Sequence, residues 1–314
     1  MPSDNPVLRF GVAGNPPHFW ASAFSKERAN APYWLAGIGL DALEIQCTYG
    51  VRMPDQRADA FKEASAAAGI ALSVHAPYYI SLGSADLEKG ENSLRELTKA
   101  IGLAKRLGSR KVIFHIGSAF GDHDGALERA LERLGRLCDQ SDPGDVRILP
   151  EIDGRRRWLG SLADVLQVCQ AVKWASPCLD LAHLHARTGG SLVERRDFLS
   201  VLDSVAQSLG AAALRDMHFH MYPIEWGAQG EIGHKAFDSV RVNELTLFDG
   251  PQGPEDYYMP RYEPMLDALA ERGVSGTVIC EAKDSQDVGA GEMKVYFRQA
   301  ISAFRILDDN GVNH

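Results

Sequence analysis

Short runs of apolar and β-branched residues alternate along this chain with longer segments of helical period, and this alternation is the strongest constraint on its fold. Eight runs have the length and composition of buried strands. They are residues 8–14, 42–47, 71–76, 111–117, 146–152, 177–183, 214–220 and 276–282. Helices between consecutive strands indicate parallel pairing, because a parallel crossover needs about a dozen residues or more.

The segments between these runs repeat their apolar residues at spacings of three and four. In residues 93–109, for example, Leu94, Leu97 and Ile101 share one helical face. Eight strand–helix units favour a closed barrel over an open sheet, whose first loop should carry a glycine-rich phosphate turn that this chain lacks. The sequence therefore predicts an α/β fold, a single-domain (β/α)₈ TIM barrel over residues 1–314 with its core at about 8–307.

The composition is typical of a cytoplasmic protein. No apolar run reaches the roughly 18 residues of a membrane span, and the first residues do not resemble a signal peptide. The five cysteines are odd in number and form no CxxC pair, so we expect reduced thiols. The net charge of −9 is not typical of nucleic-acid-binding proteins, although bound metal ions can reverse the field at one site.

Six consecutive predicted strands, the third to the eighth, end in or near a metal-type ligand. These residues are His75, His115, Glu151, Asp180, His183, His218 and Glu281. Any one of them is explained by a core hydrogen bond or a helix cap. Together they would bury many polar groups at the barrel end where active sites form, at roughly 1–3 kcal/mol for each group without a partner. The joint pattern therefore predicts bound cations.

The ligand chemistry narrows the choice of metal. Imidazole and carboxylate donors without cysteine are typical of a catalytic site for Zn²⁺, with Mn²⁺ or Fe²⁺ as alternatives. The number of donors predicts more than one ion, and two to three in all once the resemblance described below is included. Two ions about 4 Å apart stabilise both the attacking and the leaving oxygen in phosphoester displacement.

At these residues the sequence resembles the endonuclease IV family of apurinic/apyrimidinic endonucleases, within the wider xylose-isomerase-like barrel superfamily. It is most similar to the archaeal-type branch, over roughly residues 36–300. The motifs that carry the resemblance are LSVHAPYYISLGS, VIFHIGS, ILPEIDGR, PCLDLAHLHARTGG, MHFH, IEWGAQGEIGH and GTVICEAKD.

The resemblance implies three metal ions and a ligand set for each. The implied ligands of the first ion are His75, His115 and Glu151. Those of the second ion are Glu151, Asp180, His218 and Glu281. Those of the third ion are His183, Glu231 and His234, the last two from a GEIGH segment that stands in place of the bacterial Asp-Arg-His triplet. His185 and His220 lie in the same motifs, and we expect them to support the ligands or to line the rim.

The implied activity is hydrolysis of the phosphodiester on the 5′ side of an abasic nucleotide in double-stranded DNA, the incision step of base excision repair. Glu151 is also the candidate catalytic proton acceptor. Tyr78 and Tyr79 match the family loop that enters DNA beside the lesion, with packing on the barrel rim as the alternative. Arg155 and Arg156 are candidate phosphate contacts, with a solvated helix start as the alternative. We expect a monomer whose partner is damaged DNA rather than a membrane.

Two other functions stay open on the sequence. The superfamily also contains sugar isomerases and epimerases, usually with one divalent metal, and Glu151, Asp180, His218 and Glu281 would suffice for such a site. The additional histidines have no evident role in that reaction, so three bound ions would favour the nuclease. A non-catalytic damage-binding protein is the other alternative, although every expected ligand position holds a competent residue.

Overall fold

A computed structural model describes residues 7–119, 121–239 and 257–309 of the chain. Eight parallel strands in the described part close into a barrel in the order β1-β2-β3-β4-β6-β8-β9-β12. The barrel strands are β1 Leu8–Ala13, β2 Ala42–Gln46, β3 Ala71–His75, β4 Lys111–His115, β6 Arg147–Glu151, β8 Cys178–Asp180, β9 Met217–His220 and β12 Gly276–Cys280. This closed barrel with surrounding helices confirms the predicted fold class.

Helices follow the strands and cover the outside of the barrel. They are α1 Pro17–Ala21, α2 Ala31–Gly37, α3 Asp55–Ala68, α4 Leu87–Leu107, α5 His123–Gln140, α6 Leu162–Ala171, α7 Leu181–Thr188, α8 Arg195–Leu209, α9 Tyr262–Glu271 and α10 Gln286–Asp309. Short 3₁₀ turns span Ala23–Lys26, Arg28–Asn30 and Ala211–Leu214. Helices α3 and α4 each end at a glycine in the left-handed region, Gly69 with φ 71° and Gly108 with φ 70°, a conformation that other residues adopt only at a cost. No helix in the described ranges has the length and apolarity to cross a membrane.

One predicted strand is shorter than the sequence pattern indicates. The run 177–183 divides into strand β8 and the first turn of helix α7. The division falls at Asp180, whose side chain accepts a hydrogen bond of 2.6 Å from the backbone N–H of His183 and so caps the helix. His183 consequently projects from a helix rather than from a strand.

The inside of the barrel is layered. Ile113, Leu149 and Cys178 form a small apolar cluster within it, separate from the main core between strands and helices. Above that cluster, strand register sets polar residues side by side, with His115 opposite Glu151. Because side chains alternate along each strand, residues two positions further toward the C-terminal end lie one layer nearer the mouth.

Two short antiparallel strand pairs cover part of this mouth. Strands β5 Gly117–Ser118 and β7 Trp158–Leu159 pair antiparallel, as do β10 Ile224–Gly227 and β11 Gly230–His234. The second pair lies in the long connection between β9 and α9, residues 221–261. Of that connection, residues 240–256 lie outside the described part. The backbone N–H of Glu231 donates to the carbonyl of Gly154 at 3.1 Å, which fixes β11 over the end of β6.

Candidate metal centre

Seven strand ends bring acidic and imidazole side chains to the C-terminal mouth of the barrel. The residues are Glu44, His75, His115, Glu151, Asp180, His220 and Glu281. Glu44, Glu151, Asp180 and His220 are fully buried. Short parallel strands with this register can only direct their last inward side chains into one shared space.

Glu151 occupies the middle of the group. Its Oε2 lies 3.0 Å from His75 Nε2 and 3.4 Å from His115 Nδ1, while its Oε1 lies 2.8 Å from His220 Nδ1. Burial by itself opposes ionisation of Glu151, but the charges of His115 and His220 outweigh it and hold the pKa of this carboxyl well below its usual value. Glu151 is therefore an anion toward which three imidazole rings converge.

Three of the histidines are oriented in the same way. Each uses Nδ1 to donate to a backbone carbonyl oxygen at 2.9–3.0 Å, which leaves Nε2 facing the centre. The pairs are His75 with Ala76, His183 with Ile152, and His234 with Glu281. A backbone acceptor at Nδ1 is the arrangement that fixes the tautomer and ring direction of metal-binding histidines in proteins.

Helix α7 and the β10–β11 pair form a second part of the centre. His183 Nε2 lies 3.3 Å from Glu231 Oε2, and His234 Nε2 lies 3.6 Å from Glu231 Oε1. The ring of Tyr222 stacks on His234 at 4.0 Å between centroids, and its hydroxyl donates to Asp180 Oδ2 at 2.9 Å. The structure thus brings the three predicted residues of the GEIGH-linked site together.

The structure places His220, rather than His218, beside the central carboxylates. His220 Nδ1 is 3.6 Å from Asp180 Oδ2 and 3.9 Å from Glu281 Oε1. His218 lies one layer deeper, opposite Cys178 in the strand register, and its Nε2 donates to Glu44 Oε2 at 2.9 Å. Burial lowers the pKa of His218 to about 4, so this ring is neutral. The position expected for His218, beside Asp180 and Glu281, is therefore occupied by His220, while the metal-ligand roles of both residues stay predictions.

Glu44 is a site residue that the sequence analysis omitted. In addition to His218, its carboxylate accepts hydrogen bonds from Ser73 Oγ at 2.9 Å and Gln46 Nε2 at 3.2 Å, and its Oε1 lies 3.2 Å from His220 Nε2. A signal existed in the sequence, because Glu44 is an acid in the middle of an otherwise apolar strand and shares its inward face with Gln46.

Asp153 is a second omitted residue, and it explains where Arg155 lies. The Arg155 guanidinium binds both oxygens of the buried Asp153 carboxylate, with Nη2 to Oδ2 at 2.8 Å, and stacks on the Trp158 ring at 3.5 Å. Arg156 instead donates from Nε to the carbonyl oxygen of Arg187 at 2.7 Å. Both arginines stand at the mouth, but each guanidinium already has a partner within the protein.

Tyr78 and Tyr79 lie on the rim, in the loop after β3. Their side chains are exposed, and the two rings meet edge to face at 5.7 Å between centroids. Tyr49, on the loop after β2, meets Tyr78 in the same way at 5.9 Å. The rings form an exposed aromatic edge rather than part of the core.

A family model described as "xylose isomerase-like TIM barrel" matches residues 32–306. The chain belongs to this family. A curated relative, an uncharacterised protein of Methanocaldococcus jannaschii, is 29% identical over 279 residues, which cover 88% of this chain and 92% of the relative. A probable endonuclease 4 of Streptomyces coelicolor is 28% identical over 223 residues, covering 63% of this chain and 75% of the relative.

Solved structures share the barrel at lower identity. Endonuclease IV from Thermus thermophilus superposes with a TM-score of 0.63 at 21% identity, covering 94% of this chain and 99% of the other. A D-tagatose 3-epimerase-like protein superposes with a TM-score of 0.66 at 16% identity, covering 94% of this chain and 99% of the other. These likenesses show the barrel fold.

The residues of this family member fit divalent cations. In the described part of the chain, donor atoms lie within 4.8 Å of one another in five groups. The groups are His75–His115–Glu151, Glu151–Asp180–His183, His183–Glu231–His234, Glu44–His220–Glu281 and Cys178–His218–His220. No described lysine or arginine pairs with Glu44, Glu151 or Asp180.

Buried nitrogen atoms without partners support the same fit. His115 Nδ1 and His220 Nε2 make no hydrogen bond with any described residue, although both face carboxylate oxygens. A buried polar atom left in this state costs about 1–3 kcal/mol. A cation between these rings and the carboxylates would be bound by the imidazole nitrogen and the carboxylate oxygen together, so both buried atoms would gain a partner.

The position of Glu44 leads to a prediction. We expect Glu44→Gln to lower the free energy of unfolding by about 1–3 kcal/mol, because an amide group would face hydrogen-bond donors in the core. We also expect metal affinity to fall by about tenfold or more, since His220 would lose its carboxylate neighbour. Denaturant unfolding and metal titration followed by mass spectrometry measure the two effects.

Ser73→Ala is the matched control, because it removes one hydrogen bond to Glu44 and should retain the metal. Full metal affinity in Glu44→Gln would contradict the role of Glu44 in supporting the metal centre.

Proposed function

We propose that this chain is a metal-dependent endonuclease that hydrolyses the phosphodiester 5′ of an abasic site in DNA. The observation that carries the proposal is the chain of three adjoining donor groups across the mouth, in which Glu151 and His183 each belong to two groups. Such an arrangement provides for several neighbouring ions, as phosphoester displacement requires. The similarity to the Streptomyces coelicolor protein, whose name is probable endonuclease 4, supports this reaction class.

Ligand roles follow from the contacts. We infer one ion site at His75, His115 and Glu151, and another at Glu151, Asp180, His220 and Glu281, with His220 in place of His218. The remaining site is formed by His183, Glu231 and His234. Divalent ions there, Zn²⁺ by the donor chemistry, would activate water and stabilise the leaving oxygen.

The chain's own groups hold this arrangement in place. The Tyr222 hydroxyl orients Asp180 by a hydrogen bond. The Arg155 guanidinium fixes the Asp153 carboxylate within the loop after β6. Glu151 is the buried carboxylate that two of the three groups share, so its Oε atoms are the proposed acceptors of the proton released from water. The exposed Tyr78 and Tyr79 are the proposed contacts with DNA beside the lesion.

We also propose that the chain lies near the archaeal-type branch of these endonucleases. The Methanocaldococcus jannaschii relative aligns with 88% of the chain. Glu231 and His234 of the GEIGH segment meet His183, as expected if they stand in place of the bacterial triplet.

A sugar epimerase is the second candidate function. Glu151, Asp180, His220 and Glu281 surround one point and would suffice for a single divalent ion. The superposition of the barrel on that of a D-tagatose 3-epimerase-like protein supports this candidate. This candidate gives no role to His115, Glu231 and His234, and for that reason it ranks second.

A nicking assay read beside metal content tests the proposal. We expect the Zn²⁺- or Mn²⁺-loaded protein to incise a duplex containing a tetrahydrofuran abasic analogue and to bind three ions per chain. Glu231→Ala combined with His234→Ala should bind one ion fewer and lose incision by about 100-fold or more. The matched control is Glu225→Ala on the neighbouring strand β10, which pairs with Lys235 and should leave both measurements unchanged. An intact duplex together with one bound ion and epimerisation of a ketohexose would reverse the ranking.

A further inference from the structure

A pocket of about 370 Å³ opens beside the metal centre, between the loops that follow β1 and β2. Glu44 and Gln46 line its inner end. The Gln46 amide nitrogen lies 3.2 Å from Glu44 Oε1 and 3.3 Å from Glu281 Oε1, so the pocket and the centre share a wall. A group bound in the pocket would be a neighbour of the reacting part of a substrate.

Three arginines line the outer part of this pocket. They are Arg28, Arg52 and Arg57, and none of them forms an ion pair with a residue in the described part of the chain. The Arg28 guanidinium lies over the ring of Trp20, at 5.2 Å from its centroid. The pocket has one lining acid, Glu44, whose carboxylate already faces histidine and serine donors. In a chain of net charge −9, these arginines form a concentrated positive region without an ion pair among the described residues. Glu96 Oε2 also approaches Gly50, but its carboxylate is already held by Lys99 and by the backbone N–H of Val51.

The pocket is continuous with the aromatic edge. Gly50, on its lining, has a φ of 111°, which allows the loop to turn closely here. A Cβ atom at Gly50 would lie 3.2 Å from the Tyr79 hydroxyl and 3.5 Å from Arg52 Nε, so these two side chains meet over the glycine. One surface therefore runs from the tyrosines across Arg52 to the metal centre.

We propose that this arginine pocket binds a phosphate group of the substrate, next to the bond that reacts. Guanidinium groups match phosphate oxygens in charge and in planar, two-point geometry. A neutral sugar would leave three unpaired positive charges facing its hydroxyl groups. The inference rests on the proposed function, because it takes the metal centre as the place where the reaction occurs. It adds a phosphate-binding subsite formed by Arg28, Arg52 and Arg57, separate from the metal ligands, and the test decides whether the bound group is a phosphodiester or a phosphomonoester.

Binding measurements on the purified metal-loaded protein test the pocket. The probes are a short thymidine oligonucleotide, ribose 5-phosphate and ribose, each followed by isothermal titration calorimetry. We expect at least one phosphate-bearing probe to bind, with ribose much weaker. Arg52→Gln combined with Arg57→Gln should weaken that probe by about tenfold or more. For the oligonucleotide, the logarithm of the affinity should also fall less steeply with the logarithm of the salt concentration. The change in slope should correspond to the loss of about one to two phosphate contacts.

Arg110→Gln is the matched control, since Arg110 is exposed at the opposite end of the barrel, beside β4. It should leave the affinity of every probe unchanged, and metal content should be the same in all variants. Tighter binding of the oligonucleotide identifies a diester, and tighter binding of ribose 5-phosphate a monoester. Equal affinity in wild type and double variant, or ribose binding as tightly as ribose 5-phosphate, overturns the inference. Unchanged nicking by the double variant would count against the pocket alone, whereas phosphate binding without nicking would count against the endonuclease alone.

Discussion

Glu151→Gln is expected to reduce incision of abasic DNA by roughly 10³-fold and to lower metal content by at least one ion per chain. The substitution keeps the shape of the side chain but removes the charge on which His75, His115 and His220 converge. Because Glu151 belongs to two donor groups, its loss affects two ions rather than one. Single-turnover nicking and metal analysis of the purified variant measure the two effects.

The stability of the same variant separates a metal ligand from a structural ion pair. Without metal, Glu151→Gln should unfold at a lower denaturant concentration than wild type, because it removes the charge that the surrounding imidazole rings compensate. With metal, the difference should become larger, because wild type also gains the binding free energy of the ions. The matched control is Glu91→Gln on α4, where an exposed carboxylate pairs with Arg136 at 2.8 Å and contributes little. A difference in stability between variant and wild type that added metal leaves unchanged would show that Glu151 serves the hydrogen-bond network alone.

Removal of the metals should also have a large effect on the whole barrel. Glu44, Glu151 and Asp180 are fully buried, and their nearest cationic groups are histidines. An ion present at about 1,000 times its Kd stabilises the native state by about 4 kcal/mol. We therefore expect chelation to abolish incision and to lower Tm by on the order of 10 °C, with both restored by Zn²⁺.

Differential scanning fluorimetry before and after chelation measures this shift. Glu151→Gln is the informative comparison, since it should show a smaller loss of Tm because it has less metal to lose. The idea of a metal centre would be abandoned if neither chelation nor added Zn²⁺ or Mn²⁺ moved Tm in wild type.

Much of the fold was predictable because its signals are local. Strand and helix periods, separated by glycine turns such as Gly69 and Gly108, define the order of elements, and eight such units favour a closed barrel. The same reasoning placed His75, His115, Glu151 and Asp180 at one mouth, because parallel strands all end on the same side. The division of run 177–183 was missed, since an aspartate cap at Asp180 ends the strand in a segment that stays apolar.

The choice between His218 and His220 required the tertiary structure. Both side chains point into the barrel, because they are two residues apart on one strand. Only the register decides which of them reaches Glu151 and Asp180: β9 pairs His218 with Cys178 and His220 with Asp180. Register depends on how strands stagger around the closed barrel, and no local pattern in the MHFH segment contains that information.

The sequence by itself determined the order of elements, the barrel, and the gathering of acidic and imidazole donors at its C-terminal end, since these follow from side-chain period and chain direction. Tertiary structure alone decided which atoms meet. It places Glu44 beneath His220, pairs Arg155 with Asp153 instead of leaving it free, and joins Arg28, Arg52 and Arg57 in one pocket. These contacts form between loops and strands far apart in the chain, and their distances are set by packing across the barrel rather than by neighbours in sequence.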